Sequence, residues 1–148
     1  MTELAFHFGA PDKLAYAGRL LRKARGTGAQ LVVVASVDAV AQLDADLWAG
    51  TPTDFLQHCT LSASASVQRR SPLVLVTDSE PVPEYHRGVL VNLANNVPQG
   101  FERFARLIEV VSTDAQDRDL ARGRWRYYTE QGYQITRHDL NLNLKRTP

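Results

Sequence analysis

The sequence has one cysteine, Cys59, among its 148 residues, so no internal disulfide can form and a packed core must hold the fold. It has almost no net charge. Seventeen Lys and Arg against 16 Asp and Glu leave +1, which gives no global field for gripping DNA or an anionic membrane, so an electrostatic partner must meet a local patch. Long hydrophobic runs are missing too. The longest, residues 31–35 and 73–76, fall far short of the roughly 20 residues that span a bilayer; they read as buried strands, and no membrane partner is expected. Met1-Thr2-Glu3-Leu4 lacks the basic segment and apolar stretch of an export signal, so the expected location is the cytoplasm.

Chemistry-bearing motifs are equally scarce. Phe8-Gly9-Ala10-Pro11-Asp12 has one glycine, no Walker lysine or hydroxyl, and a carboxylate where a phosphate would sit, while Gly26-Thr27-Gly28 follows a helix instead of opening one. A nucleotide-binding loop is therefore absent, and no cofactor is expected. His7, His58, His86 and His138 are scattered, and His58 and Cys59 are chain neighbours whose side chains diverge, so no metal site is nominated. Cys59 has no local base and there is no Gly-X-Ser-X-Gly turn. Asp44 with Asp46 and Asp117 with Asp119 are two apart, which points them to different sides of a helix. No catalytic residue is proposed.

What is present is the patterning of one α/β domain over residues 1–148. Residues 4–8 alternate as a half-buried strand, and Pro11-Asp12 opens a helix with Leu14, Ala17, Gly18, Leu21 and Ala24 on one side and Lys13, Arg19, Arg22, Lys23 and Arg25 over the rest. Residues 31–35 are apolar on both faces, as in a central strand covered by helices. Ser36 caps a helix carrying Val40, Leu43, Leu47 and Trp48, which Gly50 ends. Residues 51–71 read as a long connection, followed by strands at 72–76 and 88–93. Phe101, Phe104, Ala105 and Ile108 predict a short amphipathic helix running into a strand-like piece at 108–111. Residues 114–131 read as the longest helix. The polar tail 138–148 is expected to be loose, or to form an edge strand through Leu140, Leu142 and Leu144.

The last helix is the informative element. Residues 114–119 hold three Asp and one Arg, and residues 120–126 three Arg and no acid. The helix dipole accounts for Asp114 and Asp117; the arginines need another reason. At 100° per residue, Arg118, Arg122, Trp125, Arg126 and Thr129 share a sector of about 100°. Such a stripe is either a solvated face with its indole covered by arginine stems, or a seat for an acidic peptide or phosphate chain, since guanidinium groups pair with carboxylates and an indole is an apolar anchor. A second candidate surface runs from Leu47-Trp48 to Phe55, whose large apolar side chains are either core or a partner's seat.

Three segments together resemble the chi subunit of bacterial DNA polymerase III, a clamp-loader accessory. They are Phe6-His7-Phe8, then Leu43-Asp44-Ala45-Asp46-Leu47-Trp48 with Phe55 and His58 following, and Leu120-Ala121-Arg122-Gly123-Arg124-Trp125-Arg126-Tyr127-Tyr128 ending in Gly132-Tyr133. The resemblance implies a Rossmann-like domain, with a largely parallel central sheet flanked by helices, that binds no nucleotide and acts as a non-catalytic adaptor. It implies two partners: the psi subunit, and the acidic C-terminal tail of single-stranded-DNA-binding protein, with DNA reached mainly indirectly. Carried over by position, Arg118, Arg122 and Arg126 meet the tail's carboxylates, with Val111 and Trp125 in the pocket wall. Phe55, supported by Trp48 and Leu47, faces psi. The rival readings are a small α/β nucleotide-dependent enzyme and a weak direct binder of single-stranded nucleic acid.

Overall fold

The computed structural model describes residues 1–48, 58–83 and 86–140, apart from the side chain of Trp48. In chain order the elements are β1 (Glu3–Ala10), α1 (Lys13–Gly26), β2 (Leu31–Ala35), α2 (Val37–Trp48), β3 (Cys59–Thr60), α3 (Ala65–Arg70), β4 (Leu73–Thr77), β5 (Val89–Asn92), β6 (Arg106–Ser112), α4 (Ala115–Glu130) and β7 (Ile135–Asp139). The strands form one sheet in the order β3-β4-β2-β5-β6-β1-β7, and every pairing is parallel. The expected α/β, Rossmann-like architecture is therefore present, with a sheet parallel throughout.

Alternation along the strands divides the interior into two cores. Leu31, Val33 and Ala35 join Leu73, Leu75, Val89 and Val91 on the side of α1 and α2, where Ala17, Leu21, Leu43 and Leu47 pack. Val32, Val34, Val74, Val76 and Leu90 point the other way, into a core closed by Phe6, Phe101, Ala121 and Tyr128. Continuous apolar runs are required because both faces are covered. The two predicted helix starts have side-chain caps: Asp12 accepts from Ala15 N–H at 3.1 Å and Ser36 from Ala39 N–H at 3.2 Å. Asp12 thus places a carboxylate on the amides that a nucleotide phosphate would need. Gly9, at φ 86°, sits in the β1 irregularity between His7 and Ala10, a bulge conformation that costs glycine nothing.

Three expectations need correction. The connection at 51–71 contains structure within its described part: β3 pairs with β4, and α3 is capped by Ser64, whose hydroxyl accepts from Val67 N–H. Both are too short for periodicity to reveal. The amphipathic helix predicted from Phe101 is a single 3-10 turn, Phe101–Arg103, in which residues three apart share one side. That turn satisfies Phe101 and Phe104, and the apolar residues Leu107, Ile108, Val110 and Val111, interrupted by Glu109, then go into β6. At the C-terminal end, the edge strand is β7, paired with β1 from Leu4↔Ile135 to Phe8↔Asp139. Its Thr136, Arg137 and His138 are exposed, so polar composition hid it. Leu140 packs on the α1 side of the sheet, and Leu142 and Leu144 lie outside the described residues.

Candidate functional site

The site is built on α4, whose position is set by buried polar bonds. Asp114 caps it by accepting from Asp117 N–H. The Asp117 carboxylate accepts from Ser112 N–H at 2.8 Å and from the Lys13 ammonium at 3.2 Å, tying the helix start to β6 and α1. Burial alone would push the Asp117 carboxyl up, but those two donors outweigh it and hold it below the usual range. One turn further along, Ala121 is fully buried, and the next inward positions are Arg124 and Tyr128. Both reach Glu109 in the middle of β6: Arg124 Nε donates at 3.0 Å and the Tyr128 hydroxyl at 2.6 Å, while Asn92 Nδ2 donates to both carboxylate oxygens at 3.0 Å. Burial pushes the Glu109 carboxyl up, and Arg124 with the other donors opposes it. Burial and the Glu109 charge push the Tyr128 phenol up as well, so it remains a donor.

Locking that face inward turns the next one outward. Arg118, Arg122 and Arg126 are exposed and Trp125 is half-buried, its ring 5.0 Å from Phe6 and 6.0 Å from Phe8. Phe8 stacks on Phe6 at 5.6 Å, and Arg137 of β7 lies over its ring at 4.3 Å, a cation–π arrangement. These side chains, with Thr129 and Glu130, enclose a cleft of about 510 Å³. Its floor is aromatic and four guanidinium groups surround it. Arg122 is bonded to Asp119 at 2.9 Å, with both side chains mostly exposed, and Arg137 reaches Asp139 at 3.5 Å. Arg118 and Arg126 have no acidic partner among the described residues.

The stripe deduced from helical phase is thus gathered on one cleft: Arg118, Arg122, Trp125 and Arg126. Val111 is not on its surface. It is fully buried in the core beneath, because β6 is covered on both faces. Leu47 is likewise fully buried, in the core under α1 and α2, so it offers no contact surface. Phe55 and the Trp48 side chain lie outside what the structure describes. Sequence reasoning missed Phe8, Glu130 and Arg137 as lining residues, while helical phase left Arg124 outside the outward stripe. Among the described residues, no group of three His, Cys, Asp or Glu side chains is placed to hold a metal, and no helix is long and apolar enough to cross a membrane.

Fold and cleft define an α/β protein whose first helix N-terminus is capped by a carboxylate, Asp12, and which carries a cleft ringed by arginine over aromatic rings. Residues 1–136 match the family described as DNA polymerase III chi subunit, HolC. The chain is also similar to the DNA polymerase III subunit chi of Pseudomonas aeruginosa strain PAO1, 33% identical over 129 residues that cover 86% of this chain and 87% of that protein. The chain belongs to the DNA polymerase III chi subunit family, which places it with that polymerase in DNA replication.

Proposed function

We propose that the chain is a non-catalytic, cytoplasmic adaptor that binds the acidic C-terminal tail of single-stranded-DNA-binding protein in the α4 cleft and links it to the clamp loader, through psi where psi is present. The observation that carries this reading is the pairing of a cationic rim with an aromatic floor. Arg118, Arg122 and Arg126 recur every fourth residue, about 6 Å along the helix axis, close to the roughly 6.6 Å between same-side residues of an extended peptide. An extended acidic segment can therefore set successive carboxylates against successive guanidinium groups, with charge-assisted bonds. Phe8 and Trp125 take an apolar terminal side chain, and Arg137 adds positive charge on the far side of the cleft. Glu130 sets a limit where further acid is repelled. The psi contact is assigned to Phe55 and Trp48.

The adaptor needs no tight contact. Many tails presented along one coated strand raise the local concentration of the tethered assembly by mass action. Calorimetric titration of the full chain with a tail peptide tests the site. Arg122→Ala or Trp125→Ala should weaken binding by about 1–3 kcal/mol, roughly 5- to 150-fold, with the fold intact by circular dichroism. Added salt should weaken the wild type, because exposed guanidinium–carboxylate contacts are screened. Undiminished affinity in both variants contradicts the assignment.

A further inference from the structure

The first helix has a charge distribution that the α4 cleft leaves unused. α1 holds five of the chain's 17 Lys and Arg and none of its 16 Asp and Glu, which leaves 12 cations against 16 anions, net −4, for everything else. It packs on the sheet face opposite α4, with Ala17 and Leu21 in the core below it. Lys13 is committed to Asp117. Arg19, Arg22 and Lys23 are exposed and, at 100° per residue, fall in one outward sector of about 100°, while Arg25 lies half-buried beside them and donates to the Ala29 carbonyl. The dipole explains cations in the last turn, Lys23 and Arg25. It does not explain Arg19, nor 14 residues without an acid.

We propose that this outward face of α1 is a contact surface for the phosphate backbone of nucleic acid, separate from the α4 cleft and independent of what that cleft binds. Two features favour a polyphosphate over an acidic protein. First, none of the exposed large apolar residues of the described chain lies on α1, so the face offers charge without the apolar anchor that a peptide contact normally uses. Second, the positions flanking the cations are small: Ala15 and Gly26 are exposed, and Gly26 and Gly28 have open space where a side chain would stand, so a backbone can approach closely. Arg19 and Lys23 are one helical turn apart, about 6 Å along the axis, a separation that suits neighbouring phosphates of an extended strand. The acidic α2, with Asp38, Asp44 and Asp46, packs beside α1 and confines the cationic strip to it.

The test is fluorescence anisotropy of a labelled 20-residue oligothymidylate titrated with the full chain from 50 to 200 mM salt, without any other protein. The wild type should bind with a log–log salt slope of roughly −2, the value for about three phosphates neutralised on a single strand. Arg19→Gln/Lys23→Gln should make that slope shallower by about 1.4 and weaken binding about tenfold at 50 mM salt, while Arg122→Ala in the cleft leaves it unchanged. Both variants alter exposed side chains, and a thermal melt confirms that each is folded. No wild-type binding at 50 mM salt overturns the proposal, as does equal binding by the α1 double variant. Equal displacement of the oligonucleotide by poly-glutamate at matched charge also overturns it, since the face would then be a seat for acidic protein.

Discussion

Arg122 and Arg124 stand two residues apart in α4 and do opposite work. The Arg122 side chain is 66% exposed and the Arg124 side chain 3%. Removing Arg124 leaves the Glu109 carboxylate in the interior without its countercharge, and breaking a buried pair from one side typically costs about 3–5 kcal/mol. Urea unfolding should therefore show Arg124→Ala destabilised by about that amount, with Arg122→Ala within about 0.5 kcal/mol of wild type. Near-wild-type stability for Arg124→Ala would show that the Glu109 network does not fix the rotation of α4. The distinction was legible in the sequence, because helical phase leaves Arg124 out of the outward stripe: it lies three residues after Ala121 and four before Tyr128, on the inward side of the helix. Glu109 was a second signal, because a carboxylate in the apolar run Leu107 to Val111 must find donors when β6 is buried. No comparable pattern marked Phe8 or Arg137 as lining residues, since they meet only through the pairing of β1 with β7.

At the scale of elements, β1 serves both faces of the sheet. Phe6 and Phe8 support the cleft, while His7 points to α1, where its Nδ1 bonds the Tyr16 hydroxyl and its ring lies 4.7 Å from that of His138 on β7. Burial, then the charges of His138 and Arg106, lower the His7 imidazole to about 4. The folded chain keeps His7 neutral while the unfolded chain takes up a proton below about 6.5, so its contribution to stability is complete above pH 6.5 and declines as pH falls towards 4. Asp117, held below the usual carboxylate range, loses its contribution only further into acid. Urea midpoints at pH 7, 5.5 and 4.5 should therefore fall for the wild type and fall less steeply for His7→Asn. Equal slopes for the two proteins would remove His7 as the cause. The same elements show where local reading stops. β2 and α4 announce themselves by unbroken apolar runs and helical phase, whereas β7 is exposed and polar and becomes a strand only because β1 has an open edge beside it.

At the scale of the molecule, strand order could not be read locally. The pairing Glu3↔Arg106 joins residues about a hundred positions apart, and such long-range contacts leave no periodic trace. The consequence of that order is functional: placing β1 between β6 and β7 puts Phe8 and Arg137 beside α4, so the cleft has two walls made by different elements. The α1 surface, on the opposite face, is kept apart from it by the thickness of the sheet. The central claim is that an acidic chain end occupies the α4 cleft, and its most direct test is nuclear magnetic resonance of the 15N-labelled full chain titrated with the tail peptide. The largest shifts should fall on the Trp125 indole N–H, on α4 amides from Arg118 to Glu130 and on Arg137. An unmoved indole at a peptide concentration that saturates calorimetric binding, or shifts centred on α1 and α2, would contradict it.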